Sequence, residues 1–444
     1  MIVIENPYLV EDEEYAYLKA KINVSEDTSS AYMELEKELP KTHWRFYENY
    51  PPIEWKTDKG DLWFSVPKKY AEYLCPERSD AFVVAMLWYA IQTHSDIECA
   101  APLSEKLYFG ITELLMPEVC KGKYKPIHII AETRNENLNK GKAVGTGMSC
   151  GVDSIYSLEK YTSSDIPESY KLTCLTYFNM GAIFHPNTAT NERHIIKDFY
   201  DITDKMSEEK IYNANKVAEM ANMPLISMKS NLDRDYYRGA YGYTGVYRNC
   251  AMVLAAQKFF GRYYCSSAGW PEFFDLSLDE GSEHYETLLC DAFSTESCQF
   301  IISDYATRFE KTELISHSKY AMNYLDVCFN FNNCGTCSKC LRTLITLDLL
   351  GQIDKFNKVF DVAEYKQNKE KAYVWLLETK DLDMRDDNAV FARDIYDVAK
   401  SRNAIPPKAT NLYHKRINKR KIRNCIQAIK SGAKYILIKI HLYK

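Results

Sequence analysis

Along the 444-residue chain, the spacing of apolar and polar positions changes character twice. Over residues 1–140 it is mixed. Asp61-Leu-Trp-Phe-Ser-Val reads as a short strand stopped by Pro67, and Ile127-His-Ile-Ile-Ala, following Pro126, reads as another. Between them, residues 80–92 have helical length, with Phe82, Val83, Met86, Leu87 and Ala90 forming a broad apolar face. From 141 to 320 strand and helix alternate: strands are predicted over 142–148, 171–178, 224–229 and 262–267, and helices over 153–161, 204–223 and 248–260. Such alternation predicts an α/β fold, a parallel twisted sheet with helices on both faces, whose ligands bind at the carboxyl ends of the strands. Residues 321–350 carry a cluster of cysteines, and 351–444 read as mostly helical. The expected organisation is therefore a mixed α+β region over 1–140, an α/β domain over 141–350 and a helical region with a basic tail over 351–444.

Composition adds limits rather than chemistry. Hydrophobic residues make up 46% and charged residues 26%, the profile of a soluble globular protein with enough chain for a large core. The start, Met1-Ile-Val-Ile-Glu-Asn-Pro, has no basic segment or long apolar core, so no signal peptide is expected there. The longest apolar run, near 81–91, falls short of the roughly 20 residues that a bilayer requires. A cytoplasmic location is expected, and with it cysteines held as thiols or metal ligands. The net charge of −5 hides an asymmetry: residues 401–444 hold twelve Lys or Arg and no acid, leaving −17 on the rest. Within that tail Ile422, Ile426 and Ile429 recur at helical spacing among basic residues. Such a segment can bind the phosphates of nucleic acid or an anionic membrane surface, or pack against the acidic remainder of the chain.

Two motifs carry chemistry. Gly145-Thr-Gly147-Met-Ser149-Cys150-Gly151-Val152-Asp153-Ser154 leaves a predicted strand and enters a predicted helix. A turn of small residues lets backbone N–H groups approach phosphate oxygens, and the helix N-terminus adds partial positive charge. Ser149 and Ser154 can donate hydroxyl bonds to an anion, and Asp153 makes sense as a holder of Mg²⁺. A plain strand-to-helix turn is the alternative. The second motif is Cys328-x5-Cys334-x2-Cys337-x2-Cys340, four thiolates within thirteen residues. They can close a tetrahedral shell around Zn²⁺, although the C-x2-C-x2-C ending also permits an iron–sulfur cluster. With all four positions filled by protein, the site reads as structural.

Together these segments resemble a known superfamily. Ser149-Cys-Gly-Val-Asp-Ser154 looks like the S-G-G-x-D-S loop of the N-type ATP pyrophosphatases (PP-loop enzymes), with Cys150 where that pattern has glycine. Asn333-Cys-Gly-Thr-Cys-Ser-Lys-Cys-Leu-Arg-Thr343 resembles the zinc segment of 7-cyano-7-deazaguanine synthases. Tyr247-Arg248-Asn249 resembles that family's R-N helix, and Thr307-Arg-Phe-Glu-Lys311-Thr-Glu-Leu-Ile its T-K-x-E segment, with Glu310 in place of a threonine. The likeness covers about residues 141–350, while the synthases' substrate-recognition stretch is not matched.

The resemblance implies a sheet of the PP-loop type and an ATP-dependent ligase. Such an enzyme adenylates a carboxylate, releases pyrophosphate and forms an amide or nitrile with a nitrogen nucleophile. Residues 149–154 with Gly147 would hold the nucleotide, adenine lying near Thr146–Gly147 and 177–179. Asp153, Lys311 and Ser149 would serve the chemistry, Arg248 would face the nucleotide or an anionic substrate group, and Arg342 would do the same or brace the zinc knuckle. The expected cofactors are ATP, Mg²⁺ and Zn²⁺. The expected partners are a small or macromolecular carboxylate substrate, a protein of the same gene set and a second copy in a homodimer. Two alternatives stand beside this reading: a thiolase or amidase acting on tRNA or a sugar precursor, and a catalytically dead nucleotide-binding subunit. Cys150 favours the last, because its Cβ limits positive φ.

Overall fold

A computed structural model describes residues 1–42, 58–181, 199–237, 241–266, 274–328, 332–382 and 387–423. The chain divides into two compact units, Met1–Ala306 with Ser318–Asn332, and Thr307–His317 with Asn333–Lys444. The boundaries expected at 140 and 350 do not separate compact bodies, for a reason visible in the sheet.

The first unit is mixed α/β and built on one eleven-stranded sheet. Its strands are β1 (Ile2–Ile4), β2 (Tyr8–Glu11), β3 (Tyr15–Val24), β4 (Asp58–Pro67), β5 (Ile97–Cys99), β7 (Ile129–Ile130), β9 (Ala143–Gly147), β10 (Cys174–Asn179), β11 (Leu225–Ser230), β12 (Phe260–Cys265) and β13 (Gln299–Ile302). Two short strands, β6 (Leu103–Ser104) and β8 (Thr133–Arg134), pair separately. The order β13-β12-β9-β10-β11 is parallel throughout. It continues through β4, which pairs antiparallel with β11 at Lys229↔Ser65 and Ser230↔Phe64, into β3, β1, β5 and β7. Residues 1–140 thus extend the same sheet, because hydrogen bonds cross where the sequence places a boundary.

Burial follows each strand's place. In β9 the run Ala143–Thr146 is buried continuously, as a central parallel strand covered on both faces requires. β3 alternates, with Ala16, Leu18, Ala20, Ile22 and Val24 inward. The helix Asp80–Gln92 is buried from Asp80 to Ile91 rather than along one face. Phe82 meets Phe64 of β4 with ring centroids 5.4 Å apart, and Trp88 stacks on Tyr243 of the helix Tyr241–Ala255 at 5.7 Å. That second helix starts seven residues before the predicted 248, through glycine- and tyrosine-rich sequence of weak helical propensity that burial overrides.

The second unit is helical: Arg308–Ile315, Ser338–Leu349, Val362–Gln367, Lys369–Thr379 and Asp387–Ser401 are its main helices. Residues 407–423 are also helical, their basic side chains largely exposed, and Arg416 meets Glu378 at 3.2 Å. The remainder of the basic tail, 424–444, lies outside the described residues. No described helix is long and apolar enough to cross a membrane.

Candidate functional site

β9 delivers the candidate phosphate loop. The strand ends at Gly147, residues 148–151 turn, and the helix Val152–Tyr161 begins. The strand order reverses here, β10 and β11 lying to one side of β9 and β12 and β13 to the other. In open parallel sheets that reversal leaves a crevice outside the carboxyl ends of the strands. Met148 N–H donates to the Thr176 carbonyl at 2.8 Å, pinning the start of the turn to β10. Thr176 pairs with Gly147, so the two strand ends expected to flank a base lie side by side.

Cys150 takes φ +60°. For a residue with a Cβ this left-handed conformation costs roughly 1–2 kcal/mol. Further bonds hold the turn: Asp326 N–H donates to the Cys150 carbonyl at 2.8 Å, and Gly151 N–H to Ser149 Oγ at 3.3 Å. The Cys150 side chain is buried, and burial pushes its thiol up to about 12, the Asp326 carboxylate adding to this and Lys210 opposing it. With the Cys150 side chain buried, the solvent-facing side of the loop is formed by backbone and by Ser149.

That face is open. Ser149 is exposed, Gly147, Gly151 and Asp153 are half-buried, and Val152 and Ser154 are buried. Ser149 Oγ lies 3.3 Å from Ser154 Oγ, which donates to the Gly151 carbonyl at 3.1 Å. The N-cap Gly151 brings no side chain to the helix terminus, an arrangement in which backbone N–H groups can bind an anion. Val152 could contribute to a ligand site only through its backbone.

Beside the turn lies a pair that the motifs did not signal. Lys210, on the helix Phe199–Ala221, reaches Asp326 at 2.7 Å, and burial raises the Asp326 carboxyl against the opposing pull of Lys210. Residues so far apart in sequence meet only through the fold, and neither sits in a motif.

Arg248 lies deep in the first unit. Its side chain is wholly buried. Nε donates to Thr244 Oγ1, Nη1 to the Met180 carbonyl and to Asp233 Oδ1, and Nη2 to the Tyr237 carbonyl, at 2.7–2.8 Å. The rings of Tyr237 and Tyr241 lie 5.5 Å from the guanidinium. The neighbouring Gly181 has φ +95°, and a Cβ there would fall 2.3 Å from Asp233 Oδ1. This is a structural anchor joining three segments, with no open face for an anionic group.

Lys311 belongs to the second unit, buried on the helix Arg308–Ile315. Glu310, where the resembling motif has threonine, closes a capping box with Thr307: Thr307 N–H donates to Glu310 Oε2 at 2.7 Å, and Glu310 N–H to Thr307 Oγ1 at 3.3 Å. Arg342 sits with its guanidinium 4.1 Å from the centre of the Phe391 ring.

The sulfurs of Cys328, Cys334, Cys337 and Cys340 all lie within 4.8 Å of one another and could hold a metal ion such as zinc. Gly335, at φ +69°, makes the tight turn between the second and third cysteines. Cys337 N–H donates to Cys334 Sγ at 3.3 Å and Cys340 N–H to Cys337 Sγ at 3.5 Å, the kind of amide-to-sulfur bond that supports a thiolate ligand. Cys337 caps the helix Ser338–Leu349, which fixes Cys340 in its first turn. The donor set, four sulfurs and no oxygen, suits zinc.

No family model, no curated protein and no solved structure matches the chain.

Proposed function

We propose that this chain is a cytoplasmic ATP-cleaving ligase that adenylates a carboxylate, in the manner of the deazaguanine synthases it resembles. The observation that carries the reading is the place of residues 148–154: a tight turn into an uncapped helix, at the point where a five-stranded parallel order reverses. In this reading a substrate carboxylate oxygen attacks the α-phosphorus of ATP, and the bond from that phosphorus to the pyrophosphate oxygen breaks. A nitrogen nucleophile then attacks the acyl carbon and AMP leaves. The backbone N–H groups of 152 and 153 and the hydroxyl of Ser149 bind the departing pyrophosphate, where charge builds, while Ser154 braces the turn through the Gly151 carbonyl. Asp153 would hold Mg²⁺, which would supply further charge neutralisation there. Lys311 is assigned to the phosphates by the resemblance alone. The four-cysteine cluster is a closed structural zinc knuckle.

Cys150 is the feature that would argue for an inactive subunit. Its backbone takes the left-handed conformation and its side chain is buried, so the turn forms with cysteine in that position. The test supplies the full chain with ATP, Mg²⁺, ammonia and either deazaguanine carboxylate or a pool of carboxylates, and follows AMP and pyrophosphate. AMP release is expected, falling roughly 100-fold or more in Asp153→Ala. Absence of AMP from the wild type with every carboxylate offered would refute adenylation.

A further inference from the structure

Three other cysteines converge in the first unit. Cys250 lies on the helix Tyr241–Ala255, Cys265 is the last residue of β12, and Cys290 lies on the helix Glu286–Ala292. Their sulfurs all lie within 4.8 Å of one another. Cys250 and Cys290 are buried and Cys265 is partly so. No motif spacing joins them; three separate elements must pack correctly to bring the sulfurs to one point.

The geometry narrows what such a point can hold. With sulfur about 2.3 Å from a tetrahedral zinc ion, neighbouring ligand sulfurs stand about 3.8 Å apart. The three sulfurs are therefore within a side-chain adjustment of a single ion. They are too close together for the corners of a cubane iron–sulfur cluster, which spreads its cysteines over a larger frame. Charge selects further. Three thiolates leave one net negative charge around a divalent ion and two around a monovalent one, and a buried site favours the smaller residue of charge. Among the described residues these three sulfurs are the ligand atoms gathered here, which leaves a tetrahedral ion one position short, the pattern of zinc sites that bind water or substrate rather than only brace the fold. The position is suited to that: Cys265 ends the strand next to β9, at the same carboxyl edge as the loop 148–151.

We propose that Cys250, Cys265 and Cys290 bind a second Zn²⁺ in a three-sulfur shell whose fourth position is left for water or a substrate atom. This site is separate from the four-cysteine cluster and independent of the adenylation reading.

The test uses the full chain, refilled anaerobically with zinc, cobalt or ¹¹³Cd after chelation. Zinc content by elemental analysis is expected to fall by one ion per chain in Cys250→Ala and in Cys290→Ser, whatever the Cys328 cluster holds. Cys337→Ser should leave the three-sulfur site filled. Where a variant does not fold, the wild type still decides. Its ¹¹³Cd spectrum should contain a three-sulfur resonance that shifts when imidazole or cyanide is added, apart from a four-sulfur resonance that does not. A wild type with no three-sulfur resonance overturns the proposal. So does a folded Cys290→Ser protein with unchanged zinc, or a native mass lighter by two hydrogens from a disulfide among the three.

Discussion

Replacing Arg248 with methionine separates an anchor from a ligand-binding arginine. The substitution keeps much of the side chain's apolar volume and removes every donor. It strands the Asp233 carboxylate, only 10% exposed, without its cation, and leaves the Met180 and Tyr237 carbonyls without their donors. Breaking a buried ion pair by deleting one partner costs about 3–5 kcal/mol, chiefly through the charge left behind. The double variant Arg248→Met with Asp233→Asn should therefore recover part of the loss, by roughly 1–2 kcal/mol. Arg248→Lys should not rescue, since a single ammonium cannot reach three segments with a fork's geometry. Urea unfolding followed by tryptophan fluorescence is suited to this, because Trp88 stacks on Tyr243 and contacts Tyr237 at 6.2 Å. The anchor reading is refuted if Arg248→Met unfolds within about 0.5 kcal/mol of wild type while the KM for ATP or carboxylate rises.

Two further outcomes are expected. Asp80 is buried and accepts bonds from Ser104 N–H and Gln257 Nε2, each at 2.8 Å, and burial raises its carboxyl to about 6. The folded state thus holds this proton more tightly than the unfolded chain, whose aspartate titrates near about 3.9. Its contribution to stability is present below pH 4 and lost as pH rises through 6. Relative to Asp80→Asn, the wild type should lose up to about 3 kcal/mol between pH 4 and 6 and then level off; a pH-independent difference in urea midpoints would show the carboxyl to be unperturbed. At Cys150, Gly should leave stability within about 1 kcal/mol, because relief of left-handed strain offsets lost burial, whereas Val should cost about 2 kcal/mol or more. Equal melting temperatures for Cys150→Gly and Cys150→Val would contradict the positive φ.

What the sequence reveals depends on whether its information is local. The turn at 148–151 and the helix after it are legible, because a strand, a run of small residues and a helical stretch fall in succession. The helix Asp80–Gln92 is legible in extent but not in burial: it has almost no polar side, so periodicity cannot say how many neighbours cover it. β3 alternates in the structure, yet alanine is a weak apolar signal and the outward tyrosines blur the contrast. Arg248 looks like a ligand group in sequence, since a motif shows a charge but not the acceptors that enclose it. Lys210 with Asp326, and the three sulfurs of Cys250, Cys265 and Cys290, are pure products of tertiary packing.

The junction of β11 and β4 changes what the first 140 residues are for. Without them β11 would be the edge of a five-stranded parallel sheet, its backbone groups open to unwanted pairing. β4 covers that edge, and the end of β11 with the residue after it is stitched to it: Trp63 N–H donates to Asn231 Oδ1 at 2.9 Å, Asn231 Nδ2 to the Asp61 carbonyl at 2.9 Å, and Ser230 Oγ to the Trp63 carbonyl at 2.7 Å. The helix Asp80–Gln92 then packs on the helix that carries Arg248 and Cys250. A region so tied into the core serves the fold first. On the adenylation reading, discrimination among substrates is therefore to be sought at the carboxyl edge of β9, β10 and β12, where the loop and the three-sulfur site both lie, and not in the amino-terminal strands.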